Sequence, residues 1–166
     1  MRFYLLGMPG SGKSFLGQEV ANQLQMTFVD TDEWIESKHK CQIPELFVKL
    51  GEEWFRKEEE KCIEDICLND ESALIATGGG LPCYHQMMQQ LLQSGICIYL
   101  KGPIEKLESQ IKTDSKIRPL LSGQALPDIL NKLLQQREGI YLQAQHVVDI
   151  EKNPLIDMIK IIHSYA

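Results

Sequence analysis

Eight consecutive residues, Gly7-Met8-Pro9-Gly10-Ser11-Gly12-Lys13-Ser14, follow directly on the apolar run RFYLL. They precede a segment whose apolar residues, Phe15, Leu16, Val20 and Leu24, fall at helical spacing. The order is therefore a short buried strand (Arg2–Leu6), a glycine-rich turn, then a helix over Lys13–Leu24. The turn matches G-x-x-x-x-G-K-[ST] at every fixed position. In such a loop the glycines let backbone N–H groups turn inward around phosphate oxygens. Gly10, Ser11 and Gly12 form that cradle, Lys13 reaches the outer phosphates, and the Ser14 hydroxyl is a ligand for Mg²⁺. The amino end of the following helix points at the same anion.

Strand and helix signals alternate along the rest of the chain. Strands are expected at Thr27–Val29, Ala73–Ala76, Ile96–Leu100 and Val147–Ile150. Helical pattern covers Glu33 to about Asn69, broken around Cys41–Pro44 and at Gly51. It recurs at Tyr84–Gln93, from Ile104 to Gln110, at Ile129–Ala144 and at Pro154–Ser164. Lys112–Pro127 is polar, marked by glycine and proline, and reads as a loop. This alternation implies a parallel sheet with helices on both faces. At 166 residues the chain reads as a single domain, 1–166. Ligands of such folds sit beyond the carboxyl ends of the strands. Every distinctive polar cluster here, GMPGSGKS, DTDE, TGGG and the loop past ICIYL, follows a strand.

Composition narrows the function. A net charge of −6 argues against duplex nucleic acid or an anionic membrane as partner. It leaves room for a small anion in a local basic pocket. Five cysteines in no CxxC pair, with four scattered His, give neither a zinc spacing nor a disulfide framework and fit a reducing cytosol. The N-terminal apolar run is too short for a signal peptide and no run could span a bilayer, so a cytoplasmic protein is expected.

A phosphate loop specifies a nucleotide, not a reaction. Motor NTPases and GTP switches place a further acid at the end of a later strand to help hold Mg²⁺. Here the strand ALIA ends in Thr77-Gly78-Gly79-Gly80, with no acid and no guanine-type NKxD sequence elsewhere. Asp30 and Asp32 are the acids nearest the loop. One suits magnesium and the other a substrate hydroxyl, while Asp30 or Thr31 could equally cap the next helix. Of 17 basic residues only four are Arg: Arg2, Arg56, Arg118 and Arg137. A guanidinium forks onto carboxylate or phosphate as an ammonium does not. With the loop, Arg56, Arg118 and Arg137 read as an anion clamp, Arg118 lying in a segment (KIRPLLSG) suited to be a lid.

Taken together, these residues resemble the shikimate kinase family over nearly the whole chain. The most specific stretch runs from Ile43-Pro44-Glu45-Leu46-Phe47 through Gly51-Glu52 to Phe55-Arg56 and Glu59. With it come the phosphate loop, Asp30-x-Asp32, Gly78-Gly79-Gly80, Arg118-Pro119-Leu120-Leu121 and Arg137 with Tyr141. The resemblance implies ATP-dependent phosphorylation of the shikimate 3-hydroxyl on the route to aromatic amino acids. It also implies an NMP-kinase-like fold of five parallel strands in the order 2-3-1-4-5. Phosphate loop 7–14, a shikimate-binding segment at about 32–60 and a lid at about 110–125 are then its functional parts. Asp32, Arg56, Gly78, Gly79, Gly80 and Arg137 would hold shikimate, the two arginines on its carboxylate, with Asp32 orienting or deprotonating the hydroxyl. Glu59 would orient Arg56. Lys13 and Arg118 would stabilise the transferring phosphoryl group, and Ser14, with Asp30 through water, would hold Mg²⁺. Lys152 would lie beside adenine. A monomer acting on two small molecules is expected.

Three features depart from the family pattern. Phe15 follows Ser14 where a second hydroxyl is usual, Ile111 stands where an adenine-stacking Arg is common, and Lys152 replaces another Arg. All fall on the nucleotide side, whose expected ATP-binding positions are Gly10–Phe15, Arg118 and Lys152. The rival readings are another small-molecule kinase of this fold, gluconate kinase above all, and a nucleotide-binding module without turnover.

Overall fold

The computed structural model describes residues 1–69, 71–114 and 125–165. Its elements in chain order are β1 (Arg2–Leu6), α1 (Lys13–Leu24), β2 (Thr27–Asp30), α2 (Thr31–His39), α3 (Ile43–Cys67) and β3 (Ala73–Ala76). A 3-10 turn (Leu81–Cys83) leads to α4 (Met87–Ser94), β4 (Ile96–Lys101), α5 (Ile104–Thr113), α6 (Leu126–Tyr141), β5 (His146–Asp149) and α7 (Pro154–His163). All strand pairings are parallel, in the order β2-β3-β1-β4-β5. The expected order 2-3-1-4-5 is thus the observed one.

The central position of β1 follows from its composition. Phe3 to Leu6 are almost wholly buried, and the facing strands β3 and β4 are equally apolar. A strand that hides both faces must be covered by helices on both sides. The phosphate loop then leaves the middle of the sheet, with β2 and β3 on one side of it and β4 and β5 on the other.

Two boundaries differ from the sequence pattern in instructive ways. The helix expected from Tyr84 begins only at Met87, because Pro82 sits in the 3-10 turn and His85 adopts a left-handed backbone. The segment Lys112–Pro127 is partly helical: α5 continues to Thr113, and α6 starts at Leu126 with Pro127 in its first turn, where proline costs no hydrogen bond. Elsewhere in that segment, residues 115–124 lie outside the described residues.

A second, smaller core holds α2 against α3. Ile35, Ile43, Leu46 and Phe55 form it, flanked by Trp34 and Trp54. Gly51, with φ 81 and ψ 170, breaks α3 within this unit. A buried carboxylate, Glu58 on α3, accepts from Lys61 and His39 and pairs with Lys38, so it ties the two helices together. Burial opposes its ionisation, but these donors hold the carboxyl down to about 2. The unit as a whole fixes Asp32, at the start of α2, relative to Arg56 on α3.

Candidate functional site

The phosphate loop folds around its own lysine. Lys13 is buried, and its Nζ donates to the carbonyls of Gly7 (2.7 Å) and Met8 (2.9 Å) and to Ser11 Oγ (3.3 Å). The first turn of α1 has no side-chain cap, since its cap residue is Gly12. Its N–H groups therefore face the loop rather than a local acceptor. Ser14 Oγ donates to Asp30 Oδ2 at 2.5 Å, while Asp30 Oδ1 accepts from the backbone N–H groups of Asp32 (2.9 Å) and Glu33 (3.4 Å). Asp30 thus caps α2 through Oδ1, while its Oδ2 is taken by the Ser14 hydroxyl. A cleft of about 510 Å³ opens over the loop, with Asp30, Asp32 and Gly78 on one side and Ile150 and Pro154 on the other.

Beside the loop, a second group of side chains converges on three glycines. A Cβ on Gly78 would collide with Glu59 Oε1 and would lie 3.4 Å from Asp32 Oδ1. On Gly79 it would be 3.3 Å from the Gly7 carbonyl and 3.4 Å from Arg137 Nη1, and on Gly80 it would overlap the Arg56 guanidinium. Asp32, Arg56, Glu59 and Arg137 therefore all crowd a backbone stretch of three residues, and at Gly78 and Gly80 there is no room for a Cβ unless a neighbouring side chain moves. That stretch is itself anchored. Gly78 N–H donates to Thr31 Oγ1 (2.9 Å), Thr77 Oγ1 donates to the Leu5 carbonyl (2.9 Å), and Tyr141 donates its hydroxyl proton to the Gly79 carbonyl (2.5 Å).

Electrostatics inside this knot are strongly coupled. Arg56 is buried and held by Glu59 (2.7 Å) and Glu52 (3.1 Å). Burial alone would lower its pKa, yet the two carboxylates raise it, so the guanidinium stays charged. Glu59 is wholly inaccessible. Its burial pushes the carboxyl up to about 7 against the pull of Arg56, with Asp32 adding to the rise. Only one Glu59 oxygen is hydrogen-bonded.

Most residues singled out in the sequence therefore meet here. Gly10–Ser14, Asp30, Asp32, Gly78 and Gly79 line the cleft, and Arg56, Arg137 and Gly80 pack behind the glycine stretch. Phe15 also lines the cleft and is largely exposed. Lys152 does not line it: its exposed side chain pairs with Asp149 at 3.4 Å. Arg118 lies outside the described residues. Ile111 packs against Gly10. Sequence reasoning overlooked Thr31 as the anchor of Gly78 and Glu52 as the second partner of Arg56. Glu52 stands four residues before Arg56, a spacing that places both on one helical face. Thr31 left no comparable signal, because its partner is 47 positions away.

A phosphate loop at the end of β1, an acid pair leaving β2 and two buried arginines behind a glycine stretch beside them fit a small-molecule kinase of the nucleotide-binding α/β class. The comparisons narrow this. The shikimate kinase family matches residues 9–165. The chain is 36% identical over 163 residues to the shikimate kinase of Azobacteroides pseudotrichonymphae, covering 96% of this chain and 95% of that one. The solved structure of Acinetobacter baumannii shikimate kinase in complex with shikimate superimposes with a TM-score of 0.89 at 30% identity, covering 99% of this chain and 91% of that one. A gluconokinase from Sinorhizobium meliloti shares the fold alone: 14% identity, TM-score 0.59, covering 96% of this chain and 87% of that one. The chain belongs to the shikimate kinase family, enzymes that phosphorylate shikimate with ATP in aromatic amino acid biosynthesis.

Proposed function

We propose that this chain transfers the γ-phosphoryl group of ATP to the 3-hydroxyl of shikimate, with the roles distributed as follows. Arg56 and Arg137 receive the carboxylate, for which a forked guanidinium is suited. Glu59 and Glu52 hold Arg56 in place before substrate arrives. Asp32 receives the hydroxyl and orients or deprotonates it. Gly78–Gly80 let the acceptor approach the backbone. Lys13 neutralises charge on the transferring phosphoryl group; Arg118 is assigned the same task on the strength of the family pattern.

The donor set also suits Mg²⁺. Ser14 and Asp30 offer a hydroxyl and a carboxylate oxygen side by side. Among the described residues no group of three or more His, Cys, Asp or Glu could form an all-protein cage. Magnesium takes such sparse protein sets and completes its shell with water and substrate phosphates. Ser14 would bind it directly and Asp30 through water. When bound it neutralises charge on the β- and γ-phosphates.

Phosphoryl transfer asks mainly for in-line positioning and charge neutralisation. The convergence of Asp32, Arg56 and Arg137 on one glycine stretch beside the phosphate loop carries the reading. A coupled ADP-release assay with shikimate, with gluconate and with no acceptor tests it. ADP should form with shikimate only. Equal release with gluconate, or release without acceptor, would replace this substrate assignment. The same reading makes the protein a cytoplasmic monomer, which sedimentation of the purified chain checks for the monomer.

A further inference from the structure

Phe15 follows the last polar group of the phosphate loop, in the first turn of α1, and its side chain is 71% exposed. A lone exposed phenylalanine is ordinary on a protein surface. This one lines the cleft. Two further apolar groups there are Ile150, just after β5, and Pro154, the first residue of α7, and α1 packs against α7.

Topology gives the cleft a direction. The loop leaves the central strand β1; Asp32 and Gly78 follow β2 and β3 on one side of it, and Ile150 and Pro154 follow β5 on the other. A triphosphate on the loop must turn its outermost phosphate toward Asp32, where the acceptor hydroxyl is received. Its nucleoside then extends toward the β5 side, and a base arriving there finds an exposed aromatic ring as part of its wall. Position 15 has no hydroxyl to offer an inner phosphate, so its contribution to the nucleotide is through the ring face.

We propose that Phe15 is the platform on which the purine base of the nucleotide rests, and that it supplies much of the site's preference for ATP over bare polyphosphate. This rests on the reading of the cleft as the ATP site. Stacking of a base on an aromatic side chain is worth roughly ten-fold or more in affinity. Isothermal titration with Mg·ATP and with Mg·tripolyphosphate separates base from phosphate contributions. The Phe15→Ala variant should bind ATP about ten-fold more weakly and tripolyphosphate as wild type does, whereas Phe15→Tyr, which keeps the ring, should bind ATP normally. With Phe15 so exposed, neither change threatens folding. Unaltered ATP affinity in Phe15→Ala, an equal loss for both ligands, or a Phe15→Tyr variant as weak as Phe15→Ala would overturn the proposal while leaving the kinase reading intact. A wild-type protein that binds neither ligand would overturn the nucleotide reading itself.

Discussion

The phosphate loop and the acceptor side share one cleft but are built differently. The loop is eight consecutive residues, and its lysine is fixed by carbonyls five and six positions away. The acceptor side draws Asp32 from α2, Arg56 and Glu59 from α3, the glycines from the turn after β3, and Arg137 and Tyr141 from α6. A locally encoded site fails mainly through loss of a chemical group. A site assembled from distant elements also fails through misplacement, since a 1 Å error in a positioned group costs about 10²-fold.

The largest effect is expected on the loop side. Lys13→Met keeps the side chain's length and removes its charge, so turnover should fall by roughly 10²-fold or more, a charge aimed at the transition state being worth about 3 kcal/mol. Steady-state kinetics of the folded variant would measure this. Near-normal turnover would remove Lys13 from the mechanism and with it the chemical half of the contrast.

Gly80→Ala breaks the other half by geometry alone. The added methyl overlaps the Arg56 guanidinium, which is the end of a long side chain and can yield without unfolding the protein. Shifting the guanidinium disturbs its buried pairing with Glu59, so some stability is lost as well, and in the folded variant the KM for shikimate should rise by up to about 10²-fold. A variant with unchanged KM would mean that Arg56 need not sit where it does.

Replacing the forks one at a time refines the same point. Arg56→Lys and Arg137→Lys each keep the charge and lose the paired hydrogen bonds, so shikimate affinity should weaken about 10- to 100-fold. ATP affinity should hardly move. A neutral alcohol analogue of shikimate should bind wild type poorly and lose little more in either variant. Undiminished discrimination between acid and alcohol in the variants would make the two arginines structural ion pairs.

The smallest effect is a pH dependence confined to the acceptor side. Glu59 carries a pKa of about 7 in the fold against an ordinary value of 4.5. Between those values the folded chain holds a proton that the unfolded chain releases. Stability from this group is therefore full below about pH 4.5 and is lost as pH rises through 7. In urea unfolding at pH 5 and pH 8, wild type should lose on the order of 1 kcal/mol or more that Glu59→Gln does not lose. The two proteins showing parallel pH slopes would mean that Glu59 is ionised throughout.

Much of this molecule was legible in the residues. The strand–loop–helix unit is contiguous, and the apolar strands and the acids behind them announce a parallel sheet with ligands at its carboxyl ends. Lys152 and Ile111 have partners that the sequence pattern does not name. Lys152 pairs with Asp149 at the surface, and Ile111 packs on Gly10, because α5 lies against the loop. Neither arrangement follows from neighbouring residues.

By itself the sequence determined the phosphate loop and the element order, and it singled out the residues proposed here for the acceptor, because each rests on local backbone preference, hydrophobic period or the chemistry of single side chains. Only the tertiary structure decided that Gly78 and Gly80 are crowded by Glu59 and Arg56, that Thr31 and Tyr141 anchor the glycine stretch, and that Glu59 is buried deeply enough to titrate near neutrality. These are properties of contact and dielectric between segments far apart in the chain, and they come into being only when those segments pack.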